Sequence, residues 1–172
     1  MPGDVRLFLM STAESLDPEL YSRLVDNLYV EAMVLADEAR AYFDGPGMED
    51  RERLGAIVRL SFACESLKVT TRLMHVIAWL LTQKAWRRGE VGRDVLESEQ
   101  YRLGEAAPSE AAAVDAMPAR ARALVQDSQS LYDRVRRLQE RNRRTASAPE
   151  KTGDGVAPGP ARELLARLER SF

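Results

Sequence analysis

The chain has 172 residues, one histidine, one cysteine and a formal net charge of -2. That length suits one domain and a tail, and 45% hydrophobic residues are enough to build a core. The lone cysteine, Cys64, excludes an intrachain disulfide and a cysteine-based zinc site, and the weak overall charge gives no general attraction to nucleic acid. Aromatic residues are 6% of the chain while Ala, Leu, Arg and Glu abound, a composition that favours helices over sheets.

Residues 1–15 are expected to be a flexible N-terminus. Their apolar patch, Leu7–Met10, follows Arg6 but is too short for a signal-peptide core, and no small-residue cleavage site follows it. The first helix is predicted over about 18–44. Asp17 can cap it, Pro18 fits its first position, and Leu20, Leu24, Leu28, Leu35, Ala39 and Tyr42 recur at helical spacing. Gly45-Pro46-Gly47 then stops it.

A long second helix is predicted from near Asp50 to about Arg88, roughly 57 Å at the usual rise per residue. Its stretch Leu67–Trp86, LKVTTRLMHVIAWLLTQKAW, is apolar on nearly every face, so it must be covered on more than one side or cross a membrane. The apolar run Leu73–Leu81 contains His75 and is about half a bilayer span. The expectation is therefore a cytoplasmic protein with neighbours on several sides of this helix. Leu60, Leu67, Met74 and Leu81 recur by sevens, and Ile57, Cys64, Thr71 and Ala78 form an interleaved row. This seam is expected to meet the chain's own bundle. Trp79 and Trp86 are then candidates either for core packing or, with His75, for an interface with a second subunit.

Residues 91–116 are ambiguous: Arg93–Leu103 reads as a short helix, Gly104 and Pro108 break it, and Ser109-Glu110 opens a turn or two toward Met117. A third main helix is predicted over about 118–144, with Leu124, Leu131 and Leu138 by sevens and Ser128, Val135 and Asn142 between them. Residues 17–44 hold seven carboxylates against two arginines, and residues 118–144 hold eight arginines against three carboxylates, which favours these helices lying side by side. From residue 145 the composition turns to Pro, Gly, Ser and Thr, the mark of a disordered linker. The linker leads to ARELLARLERSF, where Leu164, Leu165, Leu168 and Phe172 form a short apolar face. This tethered peptide suits docking on its own bundle or on a partner protein.

No catalytic, cofactor-binding or metal-binding constellation emerges. His75 has no second histidine to share a metal, and position 72, where a Glu-x-x-His metal motif needs its carboxylate, is arginine. Cys64 reads as an inert thiol on a row of small residues. The run Arg134, Arg136, Arg137, Arg141, Arg143 and Arg144 reads as a solvated face suited to a helix C-terminus, with an acidic protein partner as the other reading.

The block ESLKVTTRLMHVIAWLLTQKAWRRGE (Glu65–Glu90) resembles the most characteristic segment of the RcdA family, regulators of CtrA degradation in alphaproteobacteria. LYVEAMVLADEARAYFD (Leu28–Asp44) resembles that family's first helix, and Met117-Pro118 leading into SQSLYDRVRRL (Ser128–Leu138) its third. The resemblance implies an all-α, homodimeric three-helix bundle with a long central helix and a flexible C-terminal peptide. It also implies a non-enzymatic adaptor that helps deliver cell-cycle regulators to the ClpXP protease, works with other adaptors, and is recruited with the protease to a cell pole. The residues themselves leave two alternatives: a scaffolding helical protein with one stable partner, or a nucleic-acid-associated regulator using the arginine-rich third helix.

Overall fold

The computed structural model describes residues 17–147. Three long helices carry the fold: α1 (Pro18–Phe43), α3 (Ala56–Arg87) and α6 (Ala119–Ser147). Short helices α2 (Pro46–Glu52), α4 (Arg93–Glu97), a 3-10 turn (Glu99–Tyr101) and α5 (Ala111–Asp115) lie in the connections. There is no strand among the described residues. The all-α bundle with a long central helix is thus the architecture.

α1 starts as the sequence predicts. The Asp17 side chain accepts from the Glu19 amide at 2.8 Å, and Pro18 occupies the first turn, where its missing N–H costs nothing. Val25, Leu28, Ala32, Leu35, Ala39 and Tyr42 form its buried stripe. The turn into α2 needs Gly47, because a Cβ there would lie 2.8 Å from the Tyr42 carbonyl oxygen.

The predicted second helix is two helices. α2 ends at Glu52, Gly55 is extended (φ -63, ψ 159), and α3 begins at Ala56. α3 is therefore about 48 Å long rather than the expected 57 Å. Its end is set by Gly89, whose φ of 74 is the left-handed cap conformation. There the Gly89 amide reaches the Trp86 carbonyl at 2.9 Å and the Glu90 amide reaches the Ala85 carbonyl at 2.9 Å, a Schellman closure.

Contacts fix the directions. Tyr21 at the start of α1 meets Gln83 near the end of α3, while Phe43 packs edge-on against Phe62 with ring centroids 5.6 Å apart, so these helices are antiparallel. Arg120 pairs with Glu38 at 2.9 Å and Arg134 with Glu31, so α6 is also antiparallel to α1. The complementary charges of α1 and α6 do face each other. α6 consequently runs parallel to α3, and parallel neighbours need a return path. Residues 88–118 supply it by running back along the bundle, which explains why this connection is long.

That connection is fastened rather than loose. Leu103, Val114 and Met117 are buried in the core. The Leu103 amide donates to Gln139 Oε1 at 2.6 Å, and the Tyr132 hydroxyl donates to the Gly104 carbonyl at 2.8 Å. On α6, Leu124, Leu131, Leu138, Ser128 and Val135 all face inward, as their spacing predicts.

Candidate functional site

The feature with functional content is α3, which carries two heptad seams rather than one. Phe62, Val69, Val76 and Gln83 are spaced by sevens and buried, as are Glu65, Arg72 and Trp79. Leu60, Leu67, Met74 and Leu81, also spaced by sevens, are exposed, at 68, 67, 65 and 46%. The two leading rows are offset by two residues, which is about 200° around a helix. They therefore lie on opposite faces.

This reverses the expected assignment. The row Leu60–Leu81 and its companion Ile57, Cys64 and Ala78 point outward, not into the bundle. α1 and α6 pack against the other face, where polar Glu65, Arg72 and Gln83 interrupt the apolar pattern and disguise it. The outward face extends from Ile57 to Leu81, about 36 Å along the helix. α1 contributes exposed Val30, Met33 and Val34 on its own outer side.

The three residues expected at a subunit interface separate. Trp79 is 4% exposed and belongs to the chain's own core. His75 is covered by the return connection: a Cβ on Gly104 would stand 2.7 Å from three atoms of its imidazole. The His75 Nδ1 is buried with no partner among the described residues. Trp86, at 39% exposed, lines a groove at one end of the bundle. Trp79 is thus packed in the core of the monomer, and the exposed second face of α3 is formed by other residues. Leu164, Leu165, Leu168 and Phe172 lie outside the described residues.

Beneath the return connection sits a buried polar cluster that the sequence does not announce. Arg72 is fully buried; its guanidinium donates to the Ala107 carbonyl at 2.9 Å and to Ser109 Oγ at 2.6 Å. Ser109 in turn donates to Glu65 Oε2, and Lys68 joins Glu65 Oε1 at 2.8 Å and the Pro108 carbonyl at 2.9 Å. Burial pulls the Arg72 guanidinium below its ordinary pKa, opposed by the nearby Glu65 charge. The cluster pins residues 107–109 onto α3. Its Ser109 hydroxyl, Glu65 carboxylate and Lys68 ammonium are engaged with one another, with Arg72 or with backbone carbonyls, which is the arrangement of a clamp.

The end groove has a volume of about 1180 Å³ and gathers residues from all three long helices and from the return connection. Its inner wall includes Tyr21, whose hydroxyl donates to Gln83 Oε1 at 2.8 Å and accepts from Asn142 Nδ2 at 2.7 Å. Nearby, Lys84 binds the Asp26 carboxylate and lies 4.9 Å above the Tyr29 ring. The Lys84 hydrogen bond holds Asp26 below the usual carboxylate range. Among the described residues no group of three or more His, Cys, Asp or Glu side chains is arranged to hold a metal ion, and no helix is long and apolar enough to cross a membrane.

Residues 16–172 match the model of a family described as protein of unknown function (DUF1465). A solved structure, RcdA from Caulobacter crescentus CB15, shares 39% sequence identity with this chain. It aligns over 69% of this chain and 90% of its own, with a TM-score of 0.57. The chain belongs to the RcdA family. Among curated proteins none matches it. RcdA membership agrees with the resemblance carried by residues 65–90.

Proposed function

We propose that this protein is a non-enzymatic adaptor in regulated proteolysis that works as a homodimer and helps deliver cell-cycle regulators to the ClpXP protease, together with other adaptors. The observation that carries the protein-binding reading is the second, outward heptad seam of α3. Exposed leucine and methionine rows of this length are uncommon on a free monomer and are the usual material of a helix-to-helix interface. We place the self-association face at Leu60, Leu67, Met74 and Leu81. Trp86 is kept as a contact at the bundle end.

In this reading residues 1–15 are an N-terminal lead, residues 16–144 the bundle domain and residues 145–172 the linker with its C-terminal peptide, although α6 itself runs on to Ser147. The tether's apolar residues Leu164, Leu165, Leu168 and Phe172 engage the delivery machinery. Membership in the RcdA family supports the class. The protein acts in the cytoplasm, with recruitment to the cell pole alongside the protease.

Co-purification from the native cell, coupled to half-life measurement of the co-purified regulators in cells with and without the protein, tests the proposal. Protease components and short-lived regulators among the partners, with lengthened half-lives in the deletion strain, are the expected result. A single stable partner and unchanged half-lives would instead make it a scaffold. Loss of residues 148–172 should slow delivery without dissociating the dimer.

A further inference from the structure

The end groove carries a positive charge that the bundle itself does not neutralise. Of its arginines, Arg93 is bonded to Glu97 at 3.1 Å, and Arg87 reaches the Ser22 carbonyl at 3.1 Å and Asp26 at 3.8 Å. Arg102, Arg141 and Arg143 line the same groove and have no carboxylate within ion-pair distance among the described residues. Arg141 and Arg143 sit near the C-terminus of α6, where basic residues are favoured anyway. Arg102 does not; it stands on the return connection, just after the 3-10 turn, and approaches the same space from another direction. Trp86, the partly exposed aromatic, lies in the groove with Leu96. Arginine and tryptophan together are the side chains most often found to dominate binding energy at protein surfaces.

We infer that this groove is a docking site for an acidic peptide segment of a partner protein, one that sets an apolar side chain against Trp86 and its carboxylates against Arg102, Arg141 and Arg143. Charge complementarity selects this occupant over the chain's own ends, both of which leave the described structure beside the groove, at Pro18 and Ser147. Residues 1–16 carry Asp4 and Glu14 against Arg6, and residues 148–172 carry four carboxylates against four basic side chains, so neither supplies the missing negative charge. Arginine forks suit carboxylates because two N–H groups can bind both oxygens at once. The inference rests on the reading of the chain as a protein-binding module, and it is separate from the outward face of α3, which none of these arginines joins.

The test uses the full chain and three fluorescent probes: a short peptide of Asp and Glu around a Leu-Phe pair, its lysine counterpart, and the acidic peptide with Ser-Ser in place of Leu-Phe. Anisotropy should show saturable binding of the first probe that weakens as salt rises. The other two should bind about tenfold more weakly or worse. Combined Arg102→Glu, Arg141→Glu and Arg143→Glu substitutions should abolish binding, and Trp86→Ala should reduce it by about tenfold. All four positions are exposed, and unchanged thermal melting would confirm that the variants fold. Equal binding of all three probes, or indifference to both sets of substitutions, would overturn the proposal. So would tighter binding at the same site by a synthetic peptide of residues 161–172, which would make the chain's own tail the occupant. Sedimentation of the same variants reports self-association independently, so a failed groove and a failed dimer are distinguishable.

Discussion

Asn142 on α6 donates from Nδ2 to the Tyr21 hydroxyl on α1 at 2.7 Å, and that hydroxyl donates on to Gln83 Oε1 on α3 at 2.8 Å. One phenol thereby ties all three long helices together at the end that carries the groove. Burial raises the Tyr21 pKa, while the Asn142 hydrogen bond opposes the shift. Tyr21→Phe removes a donor and an acceptor at once and leaves Gln83 and Asn142 without their partner. Urea denaturation should show a loss of about 1–3 kcal/mol. Adding Gln83→Leu should cost less than the sum of the two single changes, because the orphaned amide is then gone.

The clamp under the return connection should be more sensitive. Arg72→Met removes one of the two cations beside the buried Glu65 carboxylate, leaving only Lys68, and frees the Ala107 carbonyl and Ser109. Breaking a buried charged network from one side costs about 3–5 kcal/mol. The double change Glu65→Leu with Arg72→Met should recover part of that loss. Hydrogen exchange checks the local consequence: amides of residues 103–117 should open in the single variant while the middle of α1 stays protected.

His75 and Gly104 can be tested as a pair. A methyl group at position 104 would press into the imidazole, so Gly104→Ala should destabilise the fold by about 1–3 kcal/mol. His75→Ala in the same chain makes room for that methyl and should relieve much of the strain. If the cost of Gly104→Ala is the same with and without His75, the packing described for this contact is wrong.

Alkali should weaken the fold through Tyr42. Burial first, then the hydrogen bond its hydroxyl donates to Asp50 Oδ2 at 2.8 Å, push this phenol from 10.0 up to about 12. A folded-state pKa above the unfolded one means that the stabilisation is complete below pH 10 and is lost as pH rises through about 12. Denaturation followed across that window should show stability falling, and Tyr42→Phe should flatten the fall. Tyr21 shifts in the same direction, so some pH dependence should persist in the variant.

The order of the three main helices and most of their ends are legible from capping residues and period, whereas the break at Gly55 that shortens α3 is not. Asp17 and Pro18 act where the sequence places them. The inner face of α3 is not legible in the same way. A search for apolar sevens finds Leu60, Leu67, Met74 and Leu81, because that row has no polar member, whereas each inner row contains one or more. Glu65, Arg72 and Gln83 look like surface residues until their partners arrive from Ser109, Ser128 and Tyr21, which are distant in sequence. Local pattern reports hydrophobicity, and these side chains are satisfied by non-local hydrogen bonds. The same reason hides the end groove, whose arginines come from α3, the return connection and α6. Only the extra length of apolar pattern, too much for one bundle, signals that α3 has a second face to fill.

That second face gives the most direct prediction. Leu67 and Met74 are one turn-pair apart on the outward seam and contribute little to the monomer core, since both remain about two-thirds exposed. Leu67→Glu with Met74→Glu puts two like charges into the proposed interface and leaves the inner face untouched. Desolvating such charges against a second copy is unfavourable, so sedimentation should show dimer giving way to monomer. A monomeric thermal transition should survive, because the inward row Phe62, Val69 and Val76 is unchanged. By contrast Trp79→Ala, in the core, should cost about 3–5 kcal/mol of folding stability. If the glutamate pair leaves self-association intact while Trp86→Ala abolishes it, the two chains meet at the bundle end and not along α3.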